Sequence, residues 1–221
     1  MYSLLDRKVP QLGAEIHAGG LKPHGMVPFG YSAPVFPRAE RRRGVYALGG
    51  PGVWELASPV PELVEAFASA LAEIPVLAWG ATAFFVDEVR ILEAPSFSSG
   101  QAAFCTSTPV VLKGAGVGAS GVRETRQDWL LPGEPGWDLA FERNLQRKAE
   151  TMGLDPDVTL ERVTWIGPKR SFAVAGSTGA GGSKPGACVK VEVRADPEIL
   201  QALWSWGLGQ SNSAGFGWVD A

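Results

Sequence analysis

Proton transfer near neutral pH is chiefly the work of histidine, and this sequence holds two, His17 and His24. A phenol at Tyr2 and an ammonium at Lys22 stand on either side of His17. Cations gather at Arg38, Arg41, Arg42 and Arg43, and again at Lys169, Arg170 and Lys184 around a Gly/Ser-rich stretch at 176–186. Such clusters suit phosphates, or form solvated surface. The chain closes on Gly207-Leu208-Gly209-Gln210-Ser211-Asn212-Ser213-Ala214-Gly215-Phe216-Gly217. Glycine tolerates positive φ and lets backbone N–H groups meet an anion with no Cβ in the way. A helix-to-strand turn would also use glycine, but the full G-x-G-x-x-x-x-x-G-F-G string is more specific than a lone G-x-G. Cys105 and Cys188 are the only cysteines and form no cluster with the histidines, so neither a metal site nor a cofactor is expected.

These groups need elements to hold them. Leu4, Leu5, Val9, Leu12 and Ile16 recur at helical spacing over 2–17, with Pro10 starting a second helical piece and Gly19-Gly20 ending it. An extended Pro-rich stretch, 22–37, leads to a strand at 45–48. Pro59 and Pro61 open a helix, and 74–92 reads as strand. The second half reads as a strand at 102–112, a glycine-rich loop at 114–121 and a helix at 137–152. Strands follow at 158–166, 172–175 and 188–193, the last with strict alternation. Asp196 and Pro197 start a helix that runs through Trp206. A short strand, Phe216–Val219, ends the chain. On the helix at 137–152, Leu139, Phe141, Leu145 and Ala149 are assigned inward, and Arg143, Arg147 and Lys148 outward.

The second half is thus a complete βαββαβ unit, and the first half repeats it without its opening strand. The expected class is α+β: two tandem ferredoxin-like (RRM-like) domains, residues 1–97 and 98–221, the first lacking its opening strand. Ala94–Gly100 has linker composition.

Composition narrows the classes. With 221 residues, 45% hydrophobic and 19% charged, the chain can bury a core and is not generally disordered. The N-terminus lacks the charged-then-apolar order of a leader, and no apolar run reaches membrane length. Two thiols then fit reduced residues in the cytoplasm, with no membrane partner. The net charge of −3 argues against general coating of nucleic acid. It is unevenly spread: +3 over 1–60, −5 over 61–100, 0 over 101–150 and −1 over 151–221. Glycine, 28 residues, is nearly double its usual share of about 7%.

The terminal glycine string, Thr106-Ser107-Thr108-Pro109-Val110-Val111, Asn144-Leu145-Gln146-Arg147-Lys148, Ala14-Glu15-Ile16-His17 and Lys22-Pro23-His24-Gly25-Met26-Val27-Pro28-Phe29 together resemble one family. It is that of the CRISPR-associated repeat-RNA endoribonucleases of the Cas-six family, in the RAMP superfamily. The likeness covers nearly the whole chain. Thr108 departs from the family's Ser, and His24, Gly25 and Val27 depart from its K-P-[FY]-T-x-S-P-L stretch.

The resemblance implies metal-independent cleavage of CRISPR repeat RNA, in which the RNA's 2′-hydroxyl attacks the adjacent phosphate. The products carry a 2′,3′-cyclic phosphate and a 5′-hydroxyl. It places His17 as the catalytic histidine, where residue type alone favours a helix-terminal imidazole that meets the last carbonyls. Tyr2 matches a catalytic tyrosine of some members by its 15-residue spacing. On one straight helix that spacing would be about 22 Å, so only a kink, at Pro10, can join the pair. Lys22 would neutralise the transition-state phosphate, and His24 would pack or stack. Gly207, Gly209, Gly215 and Gly217, with Arg38, Arg41, Arg42, Arg43, Lys169, Arg170 and Lys184, are the RNA-binding candidates. Trp204 and Trp206 are stacking candidates beside the loop. CRISPR RNA is the implied partner, alone or with other Cas proteins of an effector complex, and the chain could pair as a homodimer. Two alternatives share the fold: a non-catalytic RAMP subunit that only holds CRISPR RNA, and an unrelated ferredoxin-like interaction domain.

Overall fold

Helix α1 (Tyr2–Lys8) stops at Val9, and Pro10 opens α2 (Pro10–Gly19) as its first residue. Proline suits that position because it has no N–H to leave unpaired. The second helix folds back on the first: a Cβ on Gly13 would stand 3.0 Å from the Leu5 Cβ. Gly20 ends α2 at φ 67°. The expected kink is present, and it sets up everything at the N-terminus. The computed structural model describes all residues except 39, 43–44, 48–49, 80–81, 118–122, 175–181 and 221.

The first half continues with β1 (Gly30–Tyr31), β2 (Glu40–Arg42), β3 (Val45–Ala47), β4 (Leu56–Ala57), α3 (Pro61–Ala72), β5 (Val76–Trp79) and β6 (Thr82–Phe85). These strands form three antiparallel ribbons, β1–β4, β2–β3 and β5–β6. Leu4, Leu5, Ile16, Phe29, Leu63, Phe67 and Leu71 build the core between the helices and this layer. The sequence 74–92 is therefore not one strand. It turns back within β5–β6, and 86–96 has no regular structure.

The second half holds β7 (Gln101–Cys105), β8 (Leu112–Val117), β9 (Arg123–Leu130), α4 (Trp137–Thr151), β10 (Thr159–Ile166), β11 (Arg170–Val174), β12 (Gly182–Gly186), β13 (Val189–Arg194) and α5 (Pro197–Trp206). Its sheet runs β10–β13–β7, all antiparallel, and a bridge from Thr106 to Val219 adds the last segment beside β7. That is the ferredoxin-like order, with α4 and α5 supplying the helical layer over one core. The fold is α+β, a tandem ferredoxin-like arrangement in which the first half opens on a helix.

Two loops of the sequence reading are hairpins instead. Of the glycine-rich stretch 114–121, Gly114 to Val117 belong to β8, which pairs with β9 in a register fixed by buried Leu112 opposite buried Leu130. Of 176–186, Gly182–Gly186 form β12 against β11. Both hairpins are insertions between sheet strands. The 216–219 run makes only the single bridge, and Asp196 holds the N-cap position of α5 without a side-chain cap bond.

Candidate active site

The fold-back at Pro10 carries Tyr2 and His17 to the same end of the helix pair. Their rings lie 4.3 Å apart between centroids and tilt by 43°. A buried Phe29 meets Tyr2 edge-on at 5.8 Å. His17 is exposed, Tyr2 half-buried. Ser213, in the glycine string at the other end of the chain, comes near enough to the Tyr2 phenol to influence its titration. Burial pushes the phenol's pKa up, and the Ser213 hydroxyl pulls part of the way back. The Tyr2 hydroxyl is therefore a protonated donor at neutral pH.

The glycine string folds into a tight loop around a short 3-10 turn, Asn212–Ala214. All four expected glycines have positive φ. Each faces the protein's own atoms: a Cβ on Gly217 would stand 1.8 Å from Leu208 O, and one on Gly215 2.7 Å from the Tyr31 ring. Leu208 N–H donates to Gly217 O, Gln210 N–H to Val111 O and Gly217 N–H to Pro109 O. Within the loop, then, glycine is required first for close backbone packing.

At the centre lies Lys148, 2% exposed. Its ammonium donates to Gly207 O and to Asn212 Oδ1, both at 2.7 Å, and sits 4.5 Å over the Trp206 ring. Asn212 Nδ2 donates in turn to Leu208 O and Phe216 O. One lysine and one asparagine thus tie both arms of the loop. Burial holds the Lys148 pKa well below the usual lysine value, while two acceptors and an aromatic face work in favour of the charge. The sequence reading placed Lys148 outward with Arg143 and Arg147, which are exposed. Its period was the available signal, because Phe141, Leu145, Lys148 and Ala149 share one face of α4.

The loop also locks the two halves together. Trp206 Nε1 donates to Val27 O at 2.7 Å, and Trp218 Nε1 to Glu55 Oε2 at 3.2 Å. Gly30 approaches so closely that its Cβ would stand 2.6 Å from Trp206 O. Trp206 is consequently a buried anchor and not a stacking platform, and Trp204 packs against the core.

The other candidates spread around this centre. Lys22 is exposed on the turn closed by the Leu21–Met26 bridge. His24 meets Glu150 of α4 through Nε2, a polar contact in place of stacking. Lys184, on β12, donates to Ser211 Oγ at 2.6 Å beside the Phe216 ring, so the second glycine-rich segment reaches the first. Lys169 and Arg170 are exposed at the start of the same hairpin, and Arg38 is exposed. Arg41 and Arg42 lie on β2, and Arg43 falls outside the described residues. Among the described residues, no three His, Cys, Asp or Glu side chains are grouped to hold a metal ion, and no helix is long and apolar enough to cross a membrane.

The family model described as CRISPR associated protein Cas6, C-terminal, matches residues 92–221, and the chain belongs to that family. No curated protein matches it. Among solved structures it is similar to one titled CRISPR associated protein Cas6, at 22% identity and TM-score 0.71, covering 99% of this chain and 87% of that one. A Cas6-related protein from Pyrococcus furiosus gives 16% identity and TM-score 0.70 with the same coverage. A structure titled as a RAMP protein binding different RNA substrates gives 16% and 0.74, again with 99% and 87% covered. The unrelated-domain alternative falls with the family match.

Two outcomes test this geometry. Gly217→Ala should cost more than about 4 kcal/mol in urea unfolding, because its Cβ meets backbone at a φ of 65°. Gly153→Ala, with a φ of 72° but open space around it, should cost only about 1–2 kcal/mol. Equal losses would contradict the packing role. The second outcome concerns pH. Between the depressed Lys148 pKa and the ordinary lysine value, the unfolded chain binds the proton and the folded chain does not, so stability rises with pH there. Wild type should therefore gain on Lys148→Met as pH climbs through that window, and a flat difference would refute the shift.

Proposed function

We propose that this chain is a metal-independent endoribonuclease that cuts CRISPR repeat RNA. The observation that carries the reading is the meeting of Tyr2 and His17 across a helix break that could have left them far apart. In the reaction the 2′-O–H bond breaks and the 2′-oxygen bonds to phosphorus. The P–O5′ bond then breaks and the 5′-oxygen takes a proton. Nothing else is consumed, and the products are a 2′,3′-cyclic phosphate and a 5′-hydroxyl. His17, exposed, exchanges the proton. The Tyr2 hydroxyl, kept protonated by its burial, donates a hydrogen bond to the reacting phosphate or leaving oxygen. Lys22 offsets the developing charge.

RNA would approach over the outer side of the glycine loop, with Lys184, Lys169 and Arg170 along the β11–β12 hairpin and the Arg38 to Arg43 cluster meeting phosphates. The glycines at 207, 209, 215 and 217 serve this by keeping the loop thin and fixed. The two units span 1–97 and 98–221 and work in the cytoplasm. The competing reading is a RAMP subunit that holds CRISPR RNA without cutting it, favoured by the likeness to a RAMP protein described as binding RNA substrates.

Incubation with the cognate repeat RNA in EDTA separates the two. Wild type should cut at one position, and His17→Ala should lose on the order of 10²–10⁴-fold in rate. A single 2′-deoxy substitution at the scissile nucleotide should abolish cutting, because it removes the nucleophile. Binding without cutting would establish the holding role instead, and cleavage of the 2′-deoxy substrate would refute the mechanism.

A further inference from the structure

Four aromatic side chains of the first half are left out of both hydrophobic cores. Tyr31, Phe36, Trp79 and Phe84 are half-buried and stand outside the two clusters. Trp79 and Phe84 lie on one face of the β5–β6 hairpin, because Trp79 pairs with Thr82 and Leu77 with Phe84. Trp79 meets Tyr31 and Trp54 edge to face, each at 5.1 Å between centroids. Phe84 stacks on Phe36 at 5.4 Å, with 29° between the rings. Tyr31 in turn lies against Gly215 of the terminal loop, where a Cβ would stand 2.7 Å from its ring. Phe36 stands two residues before Arg38, which is exposed. An aromatic strip therefore joins the glycine loop to the start of the arginine cluster.

This strip is not built like a finished core. The Trp54 Nε1–H is buried with no acceptor among the described residues, where a closed core satisfies its donors. Half-exposed rings suit the flat faces of nucleobases, which stack on them whatever the base. Trp206 is sealed in the interface between the halves and cannot serve in this way. We propose that the strip is a stacking site for unpaired nucleotides of the RNA, with one base held on Trp79 and Tyr31 beside the glycine loop. The proposal rests on the reading of the chain as a protein that engages repeat RNA. An RNA strand that meets both Lys184 beside the loop and Arg38 beyond Phe36 has to cross these rings. Paired RNA turns its base faces inward and shows phosphates and 2′-hydroxyls, so the rings select a single-stranded segment where the cations alone do not.

The test uses the full chain and a repeat RNA with a 2′-deoxy substitution at the scissile nucleotide, so that binding is read without cutting. Abasic substitution, one position at a time, should reveal one unpaired position whose base is worth about 10- to 100-fold in wild-type affinity. Trp79→Leu should lose a similar factor on the intact RNA, and less than about 2-fold on the RNA that is abasic at that position. Its affinity should fall with salt as steeply as that of wild type, whereas Arg38→Ala should lower the slope by about one. Trp79→Phe keeps a ring and should bind within about 3-fold of wild type. Should Trp79→Leu not fold, wild type is irradiated with RNA carrying 5-iodouridine at one position at a time. The cross-links should then map to Tyr31, Trp54 or Trp79. Wild-type affinity in folded Trp79→Leu, a loss that persists at every abasic position, or cross-links that avoid all three rings overturn the proposal. Any of these beside normal cutting of the all-ribose RNA leaves the nuclease reading standing. The expected abasic position in a wild type that never cuts keeps the stacking site and sinks the nuclease reading instead.

Discussion

A single buried ammonium organises this molecule. Lys148 enters from α4, where a hydrophobic residue would be the ordinary choice, and gives its charge to a carbonyl, an amide oxygen and an indole face. The desolvation of such a group runs to several kcal/mol, so it persists only where its partners are held in place. Those partners are the start of the terminal loop and the asparagine at its centre. The cost of the charge and the shape of the loop are therefore one problem with one solution. Lys148 fixes the loop, and the loop satisfies Lys148.

The glycines complete that solution from the other side. Sequence alone suggests glycine as backbone bared to an anion. In the folded chain, the glycines at 207, 209, 215 and 217 are bare because Gly217 O, Val111 O, the Tyr31 ring and Leu208 O press against them. The loop is a wedge between the halves, with Trp206 and Trp218 donating into Val27 and Glu55 of the first half. Any role in meeting RNA belongs to the outer side of this wedge, beside Lys184 and the β11–β12 hairpin. The Tyr2–His17 pair belongs to the N-terminal helices and is brought together by their fold-back at Pro10.

Much of this was legible in advance. Pro10 signalled the helix break, and the 15-residue spacing of Tyr2 and His17 then made a definite geometric demand that the fold-back meets. The helices at 61–72 and 137–151 and the strand at 189–194 followed from their period and their starting prolines or alternation. The hairpins did not follow, because Gly114 to Val117 and Gly182 to Gly186 look like loops by composition and become strands only through partners across the turn. Lys148 was misplaced for a different reason. Its residue type spoke for solvent, its position in the helical period spoke for the core, and position prevailed because Gly207 and Asn212 lie some 60 residues away in sequence. Ser213 carried no signal of its own.

The claim that one lysine holds the loop and the interface together is most directly tested by amide and indole hydrogen exchange. In wild type, the Leu208 and Gly217 amides and the Trp206 indole N–H should be strongly protected, since they donate to Gly217 O, Pro109 O and Val27 O. In Lys148→Met all three should lose protection together, while amides of the β13 strand in the sheet keep theirs. Loop and indole protection that survives the loss of Lys148 would contradict the account.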